Sequence, residues 1–285
     1  MASPYPVLAL AVLFVSFGSV LIRLAEAPPL AVSFYRIALA ALCLFPFAAR
    51  GARSSWKTLT PRRRLVLLAS AAALAVHFAT WVASLSYTSV AASVLLVNTA
   101  PLFAVVFSWV FLHEKAPGVV LAAIGLALVG AGLIAVGDWT GTAGSLGGIV
   151  LALVGAVTLA AYHVIGRGLR EALPLNAYVL GVWAVAAATL LAFCLVGRVP
   201  LGGYSPKVWL LFAALALVPT LAGHGLVNRS LRALPAPTVG LFLLGEPLGA
   251  SALAWLVLDE VPGAWTLAGG AVVLLALAMV LMKRA

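Results

Sequence analysis

The chain has 285 residues, 65% of them hydrophobic and 8% charged, with a formal net charge of +10 and a mean hydropathy of +1.19. So apolar a composition excludes a water-soluble domain. The runs are continuous in Leu, Ala, Val and Gly, which excludes a membrane β-barrel, whose strands alternate over about ten residues.

What remains is a helical membrane protein. Uncharged stretches of about twenty residues recur along the chain, each long enough to cross a hydrocarbon core of about 30 Å at about 1.5 Å per helical residue. Lipid offers no partner to backbone groups outside helices or closed barrels. The patterning predicts ten spans, near 5–24, 29–49, 65–86, 89–112, 116–137, 145–166, 175–197, 207–228, 236–258 and 262–282.

The first span is read as a span and not a cleaved leader. Ala25-Glu26-Ala27 resembles a cleavage site, but no Lys or Arg precedes the run. The second carries Arg36 about seven residues, some 10 Å, from its outer end. The third and fourth are divided only by SYTS at 86–89, because residues 65 to 112 hold no charge. A single helix of that length would reach about 72 Å, so a reversal is required.

On the third span His77, Trp81, Ser84 and Thr88 recur at helical spacing and form one polar-aromatic stripe. The fourth offers Asn98 just before Pro101. Thr158, Tyr162 and His163 lie on the sixth, and Thr220, His224 and Asn228 on the eighth. Histidine suits proton coupling because its charge switches near neutral pH, although a lone helical histidine is more often a hydrogen-bonded packing residue. Trp81 reads either as a stacking or gating residue or as aromatic filler.

The ninth span contains one charge, Glu246, with Pro247 directly after it. About ten residues from the inner end places that carboxylate near the midplane. Such a group costs a few kcal/mol in lipid, so it should face a cavity or a partner. Proline cannot donate to the carbonyl four residues before it, which leaves a polar notch and a kink. Glu246 therefore reads as a contact for a substrate ammonium or as a proton carrier, against the plainer reading of a glutamate locked to Arg36. Arg36 divides evenly between binding a substrate carboxylate through its planar fork and binding helix carbonyls or Glu246. Together they suit a zwitterion.

Other features read as structural. Trp56, Trp139, Tyr204 and Trp209 are expected as interface anchors. Glu114 and Glu260, just before Pro117 and Pro262, are expected at water level. Gly125, Gly130, Gly132, Gly269 and Gly270 allow close helix contact, internal or between two copies. Cys43 and Cys194 read as small apolar residues.

With a cytoplasmic N-terminus, the inner loops and tail hold thirteen of the seventeen Lys and Arg residues and the outer loops three. That asymmetry places both termini inside, and the basic residues are too scattered to present a nucleic-acid surface. The chain also repeats itself. EAPPLAVSFYR (26–36) matches EALPLNAYVLG (171–181), and TAPLFAVVFSWVFLHEKAPG (99–118) matches GEPLGASALAWLVLDEVPGA (245–264). Residues 1–140 and 141–285 are thus expected as two repeats. Five spans per repeat, an odd number, requires the second to be inverted, as in secondary transporters.

Ten helices as five plus five, the Tyr35-Arg36 pair, prolines within the fourth and ninth spans (Pro101 and Pro247), and the LHEK (112–115) and LDEV (258–261) ends make the chain resemble the EamA-like branch of the drug/metabolite transporter superfamily. The resemblance covers nearly the whole chain. It implies a basket of helices around a central cavity that exports small metabolites, often amino acids, across the bacterial inner membrane. The Glu246-Pro247 pair is similar to one in threonine and homoserine exporters of that branch.

The substrate-binding candidates are Glu246, Arg36, His77, Trp81, Asn98, Tyr162 and His224. Pro101 and Pro247 are hinge or gating candidates, and Glu246 and His77 candidates for proton coupling. The main alternative is an exporter of hydrophobic or cationic drug-like compounds, with Glu246 as counter-charge. An enzyme is disfavoured because nucleotide-loop, HExxH, GxSxG and Cys/His motifs are missing. A channel is disfavoured because Glu246 and Arg36 break the half-to-half symmetry. No cofactor or metal is expected, and the partners are a small solute, the bilayer and at most a second copy.

Overall fold

The computed structural model describes residues 4–113, 118–140, 146–166, 169, 173–230, 242–243 and 245–284, and every regular element among them is helical. Glu114, Lys115, Pro117, Arg167, Arg170 and Arg232 lie outside the described residues, as does part of the expected ninth span.

Proline and hydroxyl residues set the starts of the helices. Helix α1 spans Pro4–Ala25. Helix α2 spans Pro29–Lys57 and opens on a proline at its first position, where a missing N–H costs nothing. Thr60 caps α3 (Pro61–Ser84) by accepting from Arg63 N, and Ser89 caps α4 (Val90–Val97) by accepting from Ala92 N. The reversal expected near SYTS therefore falls between Ser84 and Val90. Helices α5 (Ala100–Leu112), α6 (Gly118–Thr140), α7 (Leu146–Ile165) and α8 (Leu175–Val196) follow.

Ser205 caps α9 (Pro206–Leu215), which runs into a π-helical segment, Ala216–His224, and then α10 (Gly225–Ser230). Helices α11 (Gly245–Leu258) and α12 (Ala264–Arg284) complete the described chain. Seven of the helical stretches are long and apolar enough to cross a membrane, and three shorter apolar ones lie at Ala122–Ile134, Gly245–Leu258 and Ala264–Met279.

Two elements differ from the sequence reading. Helix α2 continues past residue 49 because Ala48 and Ala52 stay buried and Trp56 Nε1 donates to Ala177 O of α8 at 3.1 Å. Trp56 is thus an inter-helix tie more than a surface anchor. The fourth span breaks at Asn98 and Thr99, with Pro101 in the first turn of α5, so the proline starts a segment instead of bending one.

The most extensive interfaces pair α6 with α12, α3 with α7, α2 with α8, and α1 with the π-segment and its flanks. Further contacts join α4 and α5 to α7, α11 to α1, α3 to α8, α2 to the π-segment, and α4 to α11. Exchanging α1 with α7, α2 with α8, α3 with α9–α10, α4–α5 with α11, and α6 with α12 maps these pairings onto one another, whereas the contacts of α2 with α3 and of α4 with α12 have no counterpart of similar extent.

Glycine permits the closest of these contacts. A Cβ on Gly130 would lie 2.7 Å from Gly269 O, one on Gly269 2.5 Å from Gly130 O, and one on Gly270 2.7 Å from Leu95 Cδ1. These three are internal, whereas Gly125 and Gly132 face open space.

Candidate functional site

Arg36 sits two turns into α2. Ser33, one turn earlier, donates to Pro29 O at 2.8 Å and to Phe78 O at 3.0 Å, which turns this face of α2 against α3. Arg36 is only 1% exposed. Its guanidinium carbon lies 4.6 Å from the centre of the Phe78 ring and 5.5 Å from that of Trp81, a cation–π arrangement in a desolvated place. Nε donates to Thr220 Oγ1 at 2.7 Å. Nη1 is buried without a hydrogen-bond partner.

His77, Trp81, Ser84 and Thr88 are all buried on one face of α3, as their spacing implied. His77 Nδ1 lies 2.9 Å from Gly155 O. A carbonyl can only accept, so the proton is on Nδ1. The imidazole stacks on Trp81 with centroids 5.8 Å apart and planes 9° from parallel. Gly155 lets α7 approach, since a Cβ there would stand 3.2 Å from Trp81 Cβ. Trp81 Nε1 and Ser19 Oγ are also buried without partners. Lower on the stripe, Ser84 Oγ donates to Trp81 O at 2.6 Å and lies 2.7 Å from Ser93 Oγ.

Glu246 and Pro247 occupy the first turn of α11. Glu246 is half-buried and Pro247 buried, and Ser251 Oγ takes up the Pro247 carbonyl at 2.7 Å. The Glu246 carboxyl lies near the side-chain amide of Asn98 and within electrostatic range of Arg36. It does not pair with that arginine: among the described residues the one ion pair within 4.0 Å is Arg23–Glu260. Asn98 also donates to Val94 O at 2.9 Å, which fits its place where α4 stops. Helix α11 reaches α1 closely, Ser16 Oγ lying 3.5 Å from Glu246 O.

His224 ends the π-segment, half-buried, within electrostatic range of Arg36, His77 and His163. The ring of Tyr162 lies 5.1 Å from that of His163, and its carbonyl accepts from Ser70 Oγ at 3.3 Å. Pro101 is exposed. Arg36, His77, Trp81, His224, Asn98 and Glu246 are thus linked by contact or charge, and Tyr162 sits beside His163 at their edge.

Reading the sequence alone missed Phe78, which supports the guanidinium, and it placed Thr220 on the polar stripe of its span without its tie to Arg36 through a π-helical turn. Only Pro219 beside Thr220, a helix breaker within a span, signals irregular backbone there.

Tyr35, the neighbour of Arg36, points the other way. It stacks on Phe212 with centroids 4.8 Å apart and meets Trp209 edge-on, and its hydroxyl donates to Leu201 O. Tyr204 and Trp209 therefore belong to an aromatic cluster that holds the 197–205 loop.

A many-helix apolar bundle with ionisable groups buried at its heart belongs to the class of polytopic membrane proteins that handle small solutes. The comparisons narrow that class. The family model described as the EamA-like transporter family matches residues 3–136 and again 146–282, so the chain belongs to that family of membrane transporters and contains two of its repeats. No curated protein matches. A solved structure described only as a crystal structure of a protein is similar over 99% of this chain and 97% of that one, with a TM-score of 0.68 at 18% identity, and shares the fold.

Proposed function

We propose that the protein is a secondary transporter that exports small zwitterionic metabolites, most simply amino acids, by alternating access. Ten spans form two inverted five-helix repeats, residues 1–140 and 141–285, around a central cavity in the bacterial inner membrane, with both termini cytoplasmic and as a monomer or homodimer. Most of the extensive helix pairings exchange with one another when the halves are swapped, which supports the repeat arrangement.

The observation that carries the substrate class is the guanidinium of Arg36, 1% exposed, with Nη1 unpartnered and no carboxylate within 4.0 Å among the described residues. A buried cation held on aromatic rings but left without a counter-ion suits a substrate carboxylate. Glu246, half-buried beside Asn98, is the contact for the ammonium. His77, Trp81 and His224 line the same region. Glu246 and His77 are the proton-coupling candidates, and Pro247 the hinge of α11. Tyr162 and Pro101 keep only their sequence-based candidacy. An uncompensated arginine argues against the alternative of cationic drugs, which it would repel.

The test is flux of radiolabelled amino acids, amines and drugs in proteoliposomes at two internal pH values, with wild type beside Glu246→Gln and Arg36→Gln. Amino-acid efflux abolished in both variants, each still folded in membranes, is expected. Equal flux in Glu246→Gln removes that residue from the mechanism, and amines or drugs moving in preference to amino acids reverses the substrate assignment.

A further inference from the structure

We infer that Thr220 is a positioning residue that presents Arg36 end-on to the carboxylate of the substrate. The inference rests on the reading of Arg36 given above and says which edge of its guanidinium is offered, and by what means.

It begins at Pro219. In an α-helix the Leu215 carbonyl would accept from the N–H four residues on, which is the nitrogen of Pro219 and carries no hydrogen. The chain widens to a π-helix over Ala216–His224, and Thr220 Oγ1 donates to Leu215 O at 2.8 Å. A hydroxyl has one hydrogen. Once that is committed to a carbonyl, which cannot donate in return, the oxygen can offer only lone pairs. The group that takes them is Arg36 Nε, at 2.7 Å, with both residues 1% exposed.

The proline shifts the backbone pairing to the π-helical i→i+5 pattern, which sets the Thr220 hydroxyl over the Leu215 carbonyl, and with its hydrogen held there the threonine becomes an acceptor of fixed polarity facing α2. Guanidinium recognises a carboxylate either side-on, through Nε and one Nη, or end-on, through both Nη groups. Thr220 occupies the side-on edge. Phe78 and Trp81 stand against the guanidinium at 4.6 and 5.5 Å. What remains is the end-on edge, whose Nη1 is buried and unpartnered. Two N–H groups in one plane match the two oxygens of a carboxylate and match an amide, with one oxygen and one donor, poorly. Thr220 therefore sharpens discrimination without touching substrate.

The experiment measures competition by L-threonine, L-leucine and L-phenylalanine, and by their three amides, against radiolabelled amino-acid flux in proteoliposomes. Wild type is compared with Thr220→Val, Thr220→Ala, Thr220→Ser and Arg36→Gln. In wild type the acids compete far better than the amides. Thr220→Val and Thr220→Ala raise KM for the acids about tenfold, roughly the weight of one charge-assisted hydrogen bond, and narrow the acid-to-amide gap. They leave the rate at saturation near wild type, and Thr220→Ser restores both quantities.

Two variants are included because valine leaves Arg36 Nε crowded and unpaired, whereas alanine leaves room for water. A full gap in a folded Thr220→Val or Thr220→Ala, with the gap lost in Arg36→Gln, overturns the role of Thr220 alone. No flux of the three acids in wild type, or an undiminished gap in Arg36→Gln, overturns the reading of Arg36 and this inference with it.

Discussion

Arg23 and Glu260 stand 237 residues apart in sequence and meet at 2.9 Å, Arg23 Nη2 against Glu260 Oε2. Each also serves a helix end. Arg23 Nη1 donates to Leu85 O, the cap of α3, at 2.5 Å, and Glu260 Oε1 accepts from Val90 N, the first residue of α4, at 2.5 Å. Cation at a helix C-terminus and anion at a helix N-terminus are the arrangements the helix dipole favours. Asp259, in the left-handed region at φ 54°, ends α11 and turns the chain so that Glu260 can reach across; aspartate tolerates that backbone better than most residues. The network ties α1, α3 and α4 of the first repeat to the end of α11 in the second.

Because the side chains of Arg23 and Glu260 are 35% and 18% exposed, the pair alone contributes about 0–1 kcal/mol. The hydrogen bonds to the two helix ends add about 1 kcal/mol or more each. Glu260→Ala is therefore expected to lower the thermal unfolding midpoint of the detergent-solubilised protein more than Glu260→Gln, whose amide oxygen can still accept from Val90 N. A double-mutant cycle of Arg23→Ala and Glu260→Ala should show a coupling of about 1 kcal/mol. Strict additivity would mean that the two side chains act independently.

Backbone against backbone is the rule where α6 crosses α12. Gly269→Ala would push a methyl to 2.5 Å from Gly130 O and 2.8 Å from Ile134 Cγ1, and a carbonyl on a helix cannot swing away. Loss of stability of at least about 1–3 kcal/mol is expected from such overpacking. Gly125→Ala, which meets nothing within 4 Å, should be neutral or slightly stabilising through helix propensity. Thermal unfolding of the two variants side by side decides it. Equal stability would show that the two helices part at no cost.

The long apolar runs made the helices legible, and the sequence-predicted limits for α1, α3, α7 and α8 fall within a few residues of the observed ones. A stretch of lipid-like residues bounded by Pro, Gly or Arg admits few other structures. The stripe on α3 was legible for the same reason, since residues three or four apart in a helix must share a face. The continuation of α2 to Lys57 was not, because what holds it is Trp56 on Ala177 of a distant helix. Nor was the break at Asn98, where the chain bends just before the proline that marks it. At the site, the charges stood out because ionisable groups are rare in a span, and Thr220 showed as part of a polar stripe, while Phe78 is of a type that fills spans everywhere and only its contact with Arg36 distinguishes it.

The two family repeats carry equivalent loops after α2 and α8, and in an inverted arrangement these must open on opposite sides of the membrane. In a Cys43→Ala, Cys194→Ala background, Gly202→Cys should react with a membrane-impermeant maleimide added to intact cells. Thr58→Cys should react only after permeabilisation. Both positions are exposed, so lack of labelling cannot be put down to burial. Labelling of both from outside would show the two repeats running the same way up, and alternating access through exchanged halves would then lose its basis.

Gly18 faces the guanidinium from α1, and the distances there are permissive. A Cβ would stand 3.6 Å from Pro219 Cβ, 3.8 Å from Trp81 Cη2 and 3.9 Å from Arg36 Nη1, which is ordinary van der Waals contact. Gly18→Ala should therefore fold as well as wild type, and gain up to about 1 kcal/mol of helix stability. It also fills space beside the one guanidinium nitrogen that lacks a partner. The expected result is a raised KM for amino-acid flux, about three- to tenfold as for a displaced contact worth about 1 kcal/mol, with an unchanged or higher unfolding midpoint. A larger residue, Gly18→Leu, should remove flux altogether. If Gly18→Ala transports like wild type, the space before Nη1 is not where substrate sits, and the contact with Arg36 must be sought from its other side.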